Sequence, residues 1–292
     1  MKQIKKVISA PTKHWVGDGF HVHGFFNQFS EDNSPFLLLD YAPNKHFTPS
    51  DKPRGVGQHP HRGFETVTFA YRGAVNHKDS SGSVGTIKEG DIQWMTAGSG
   101  VIHQEYFEDE FNKSGGEFSM VQLWVNLPAE FKMVPPRYQE IVNNNIPSIN
   151  IEGVEVKVVA GTLEYLESDN KYIKVEGIAK TYSKIDIYQI SNPTNSSTPL
   201  TVKLPAHQNT MILVLSGSVE LNDYVIDANN LVLFDNIGEN IVIKPNSISE
   251  VLVLSGMPLN EPIAHYGPFV MNTDQELMQA VDDFNNGRFG NL

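Results

Sequence analysis

HPHRGFETVTFAYRG (59–73) and, 42 residues after His61, His103-Gln-Glu105 decide how this chain is read. His59 with His61, and His103 with Glu105, form two pairs at i,i+2 spacing. Successive side chains of an extended strand point to opposite faces, so each pair puts both members on one face. Two such strands meeting inside a barrel would present three imidazoles and a carboxylate to one point. That donor set suits a borderline transition metal such as iron, manganese, copper, nickel or zinc, with positions left open for substrate.

Outward from these pairs the pattern is almost entirely β. Short alternating or β-branched runs recur at Phe36–Leu39, Thr66–Tyr71, Gly85–Ile87, Ile92–Met95, Val121–Leu127 and Val154–Val159. They continue at Ile185–Ile190, Met211–Leu215, Ser218–Leu221, Leu231–Phe234, Ile241–Ile243 and Val251–Leu254. Arg72-Gly73, Ser81-Gly82, Glu89-Gly90 and Ser216-Gly217 punctuate them as turns. Many short strands at such spacing indicate a sandwich or a barrel. One helix is expected near the C-terminus. Thr273 caps it, Glu276 completes a capping box, Leu277, Val281 and Phe284 give the apolar face, and Gly287 stops it.

Pro135-Pro136 and Asn143-Asn144-Asn145 interrupt the strand pattern and mark a linker between Pro128 and about Pro147. The halves on either side look like copies of one unit. Glu65–Gly73 followed by Gly90-Asp-Ile-Gln-Trp-Met matches Asn209–Gly217 followed by Asn229-Asn-Leu-Val-Leu-Phe. Superposing Gly73 on Gly217 sets Lys203, Pro205 and Asn209 opposite His59, His61 and Glu65. The second half repeats the shape without the ligands.

Composition narrows the function classes. The chain has 292 residues, room for one large domain or two ordinary ones. Apolar residues make up 40%, enough for a sizeable core, which argues against disorder. Charges are 22 basic against 34 acidic, a net of −12 with no basic stripe, so direct nucleic-acid binding is not expected. There is no cysteine, which excludes disulfides, thiolate ligands and cysteine nucleophiles. The first residues lack an apolar signal core, and no run is long enough to span a membrane. The expectation is a cytoplasmic protein without membrane contact.

His59-x-His61-x3-Glu65 followed by Gly73 resembles the first motif of the cupin superfamily. Gly90…Gly98-x-Gly100-x2-His103 resembles the second. HPHRGFETVT (59–68), HKDSSG (77–82), GDIQWMTAGSGVIHQE (90–105), QLWVNLP (122–128) and YGPFVMNT (266–273) are similar to the pirin family, as are HWVGDGF (14–20), PFLLLDY (35–41) and PRGVG (53–57). The resemblance implies an all-β fold, two jelly-roll cupin barrels in tandem with a short C-terminal helix. Residues 1–138 would form the metal-bearing barrel, 139–262 a barrel without ligands, and 263–292 a C-terminal segment with the helix.

The pirin pattern maps the metal ligands onto His59, His61, His103 and Glu105, whereas the general cupin pattern would recruit Glu65. Glu65 is then left as a group behind the ligands or at the core rim, where it can orient an imidazole. One divalent transition metal per chain is implied, iron first, with copper, manganese, nickel, cobalt or zinc as alternatives. The activity implied is that of a quercetin 2,3-dioxygenase, an oxidoreductase that opens a flavonol with O2 and releases carbon monoxide. Glu105 would take the proton from the 3-hydroxyl. Another phenolic or enolisable substrate is an alternative. So is a metal- or redox-sensing regulator that binds protein partners, which the acidic balance suits better than DNA.

Other polar residues read more plainly. His77 and Asp79 are expected in a loop turn and His207 at the surface. Trp94 and Met95 point to opposite faces, so one of them faces the barrel interior. Gln122, Trp124 and Asn126 share a strand face, from which an interior Gln122 can bond a ligand or water.

Overall fold

The structure, a computed structural model, describes residues 1–27, 29–166 and 172–292. Each strand read from the sequence falls on an observed strand, most of them longer than expected. Among the described residues no helix is long and apolar enough to cross a membrane.

The histidine-bearing unit comprises Pro11–Glu31, Pro35–Asn143 and Leu259–Leu292. Its larger sheet runs, in order, Arg137–Ile141, Ile92–Thr96, Phe64–Arg72, Gly116–Asn126, Phe36–Phe47, Phe20–Phe26 and Lys13–Val16. The smaller sheet runs Gly55–His61, Val101–Phe107, Val75–Asp79 and Val84–Ile87. All pairings within these two sheets are antiparallel. Phe20, Phe47, Phe107, Phe118 and Ile87 join the two sheets in one buried cluster.

The second unit comprises Met1–Ala10, Asp32–Ser34 and Asn144–Pro258. Its seven-stranded sheet runs Ile4–Ser9, Asn230–Phe234, Asn209–Ser216, Ser249–Gly256, Ile185–Asn192, Val154–Ala160 and Ser148–Ile151. Asn209–Ser216 holds the place in this order that Phe64–Arg72 holds in the first unit, as the superposition of Gly73 on Gly217 requires. Both units are jelly-roll barrels of the cupin kind, so the fold read from the sequence is the fold found. The units are not contiguous in sequence, unlike the boundaries drawn at 138 and 262. Strand pairing decides membership: Ile4–Ser9 pairs with Asn230–Phe234, and Phe269–Met271 bridges to Arg62.

The C-terminal helix is Asp274–Asn285, with the full capping box of Thr273 and Glu276 in place. Lys132 fastens the segment before it. This buried lysine donates to the carbonyls of Gly63 (2.8 Å) and Val270 (2.9 Å) and to Asn126 Oδ1 (2.6 Å).

Candidate metal centre

Gly55–His61 and Val101–Phe107 are neighbours in the smaller sheet, with His103 directly opposite His59. Opposed residues in an antiparallel pair project to the same face. His59, His61 and His103 therefore converge, and their ligand atoms all lie within 4.8 Å of one another. The i,i+2 reading holds for His59 and His61, and His103 joins them from the neighbouring strand.

The chemistry of these rings fits a metal ion. His61 and His103 are buried, and burial together with neighbouring imidazoles holds both well below the usual histidine range. They are neutral at pH 7, the form a metal requires. Both His103 ring nitrogens and the His61 Nδ1 are buried without a hydrogen-bond partner, an expensive state that coordination would relieve. His59 Nδ1 donates to the Gly57 carbonyl at 2.7 Å, which fixes the ring and leaves Nε2 as the ligand atom.

Glu105 faces the same cavity but lies outside the three-histidine group. The register shifts between His103 and Glu105, so Glu105 sits opposite Val56. Its Oε1 accepts hydrogen bonds from Thr68 Oγ1 (3.2 Å) and Gln93 Nε2. The cavity encloses about 470 Å³. Its walls include Phe20, Val22, Leu38, Met120 and Trp124, and its polar lining adds Gln122, Asp40 and His14.

Glu65 does not orient an imidazole here. It accepts from Thr96 Oγ1 at 2.7 Å and lies 3.9 Å from Arg137. The chain turns through Gly63 at φ +85° between the two strands, so strand parity cannot be counted from His61 to Glu65. Thr68, three residues on from Glu65, points to the opposite face and reaches Glu105. His77 and Asp79 are likewise not in a loop turn. They lie on Val75–Asp79, opposite Glu105 and His103, and pair with each other at 2.9 Å in full burial. Trp94 and Met95 are both buried, and Met95 shares its face with Gln93, which bonds Glu105. Gln122 and Trp124 line the cavity, whereas Asn126 serves Lys132. His207 is exposed, as expected.

A family model described as Pirin matches residues 19–125, and one described as Pirin C-terminal cupin domain matches residues 192–290. A Pseudomonas aeruginosa relative named "Putative quercetin 2,3-dioxygenase" is 42% identical over 99% of this chain and 99% of its own. The chain belongs to the pirin family. Pirin-1 of Arabidopsis thaliana is 37% identical over 98% of this chain and 94% of its own. A crystal structure titled quercetin 2,3-dioxygenase, from Acinetobacter baumannii, superposes with a TM-score of 0.91. It is 44% identical and covers 99% of both chains. In this pirin, sequence reasoning found the three histidines and missed Asp40 and His14. Their one sequence signal was membership in the blocks PFLLLDY and HWVGDGF.

Proposed function

We propose that this pirin is a metal-dependent dioxygenase that opens a flavonol such as quercetin with O2 and releases carbon monoxide. His59, His61, His103 and Glu105 are the residues assigned to hold one transition metal, iron first. The observation that carries this reading is the set of three converging imidazoles, two of them with orphaned buried nitrogens, at a largely apolar cavity that also holds a carboxylate. The names borne by the Pseudomonas and Acinetobacter relatives support it.

When bound, the metal supplies Lewis acidity and access to O2 chemistry. The chain supplies position and proton transfer. Glu105 is the group assigned to accept the 3-hydroxyl proton. Thr68 and Gln93 hold its Oε1, leaving Oε2 to face the substrate. Trp124, Leu38 and Phe20 pack against a planar ring system and exclude water.

The test is anaerobic purification with elemental analysis, then O2 uptake, carbon monoxide release and loss of the quercetin chromophore. Glu105→Gln is expected to lower turnover by about 100-fold or more in protein that still holds metal, because an amide cannot accept the proton. Wild-type protein loaded in turn with iron, copper, manganese, nickel and cobalt should exceed the apo protein. If none does, the dioxygenase reading fails and that of a metal-sensing, partner-binding regulator replaces it.

A further inference from the structure

The cavity has a second polar end that the chemistry above leaves unused. Five neighbouring strands of the larger sheet set Gly24, Asp40, Gln122, Thr68 and Gln93 side by side in register. Opposed residues share a face, so this row crosses the barrel interior. At one end Gln93 Nε2 donates to Thr68 Oγ1 at 3.0 Å, and both reach Glu105. Thr68 Oγ1 has one hydrogen, and its nearer acceptor is Gln122 Oε1 at 2.7 Å rather than Glu105 Oε1 at 3.2 Å; donated there, it leaves the two amide hydrogens of Gln122 for another partner.

At the other end of the row is Asp40, 8% exposed and part of the cavity wall. Among the described residues no hydrogen-bond donor reaches its carboxylate, and His14 is the titratable group that acts on it. Glycine at position 24 makes room for this neighbour. A Cβ there would stand 3.0 Å from the His14 ring and 3.2 Å from Asp40 Oδ1. A carboxyl that opens onto the cavity with no protein donor is an acceptor available to whatever enters. Burial pushes Asp40 up to about 6, with His14 opposing, which agrees with an environment short of donors.

We propose that Asp40, with Gln122 beside it, selects the substrate by accepting a hydrogen bond from a hydroxyl at the end of the row remote from Glu105. The amide of Gln122 donates to the oxygen of the same hydroxyl. The inference rests on the flavonol reading and narrows its substrate class to flavonols and related planar phenols with a free hydroxyl on the far ring. Val22, Leu38, Met120 and Trp124 then cover the apolar body between the two poles. Asp40 touches no reacting atom in this arrangement, so its effect belongs in affinity and KM rather than in kcat.

The experiment compares quercetin, hydroxylated on both outer ring systems, with 3-hydroxyflavone, which lacks those hydroxyls. Both are titrated anaerobically into metal-loaded wild-type, Asp40→Asn and Asp40→Leu proteins, followed by tryptophan fluorescence. KM and kcat are then measured under O2. Asp40→Leu is expected to weaken quercetin binding about ten- to a hundred-fold, with a matching rise in KM. Binding of 3-hydroxyflavone should be unchanged or tighter. Asp40→Asn, which retains an acceptor oxygen, should fall between. Equal losses for both flavonols would mark Asp40 as merely structural, and an unchanged quercetin affinity would remove its role altogether. Wild-type protein that binds neither flavonol sinks the dioxygenase reading and this one with it. Wild-type protein that turns over both without discrimination sinks this one alone.

Discussion

Asp40 carries a cost that can be measured without any substrate. Its carboxyl, ordinarily near 3.8, is pushed up to about 6 by burial. Between these values the folded chain binds the proton more tightly than the unfolded one. The burial penalty is therefore absent below about pH 4, grows through pH 6 and is complete above it. Asp40→Asn should be more stable than wild type at pH 7.5, by up to about 3 kcal/mol, and nearly equal to it at pH 4. Urea unfolding at the two pH values checks this, and equal stabilities at pH 7.5 would count against an apolar setting. The same residue shows what a sequence conceals. His59, His61 and His103 were legible because strand periodicity alone brings each pair to one face. Asp40, Gln122, Thr68 and Gln93 lie on four different strands, and only their register makes them a row. The shared face expected for Glu65 and the histidines is not met for a related reason: parity holds within a strand and is lost across the turn at Gly63.

Elements show the same division between local and long-range information. The helix Asp274–Asn285 was legible because Thr273 and Glu276 cap each other within one turn. The fastening of the strand before it was not legible, since Lys132, with Asn126 nearby, joins Gly63 and Val270 from two distant parts of the chain. Arg62, adjacent to His61, adds a buried ion pair to helix residue Asp283 at 2.8 Å. The C-terminal segment thus grips the residues that follow the ligand strand. Lys132→Met keeps most of the apolar stem but leaves three buried acceptors without their donor. It should cost about 2–4 kcal/mol in urea unfolding. Metal retention during dialysis against a chelator should fall as well, because Gly63 lies two residues past His61. A Lys132→Met protein as stable as wild type would show that these bonds contribute nothing net.

The whole molecule repeats one barrel and equips one copy. In the second unit Lys203 pairs with Glu164 at 3.5 Å, and Asn209 donates to the Ser34 carbonyl at 2.8 Å, where the first unit has His59 and Glu65. Elemental analysis should therefore give about one transition metal per chain, and His103→Ala should remove most of it, since a lost ligand forfeits much of the affinity. A value near two for wild type, halved by His103→Ala, would place a second ion elsewhere. The duplication was legible from the glycine turns, because a turn needing positive φ restricts residue choice more than a strand does. The exchange of terminal segments was not legible, since pairing partners more than 200 residues apart leave no local trace. That exchange bears on how the protein is made. Ribosomes release the N-terminus first, so Ile4–Ser9 emerges about 220 residues before its partner Asn230–Phe234. At typical elongation rates of about 5–20 residues per second it waits roughly 10–45 s with neither edge paired. Lys5 and Lys6 within that strand discourage association with other chains during the wait. The histidine barrel is completed later still, for Phe269–Met271 follows Asn230–Phe234 in the chain. Nascent chains stalled before that point should hold metal poorly, which makes loading of the centre an event that follows synthesis of Phe269–Met271.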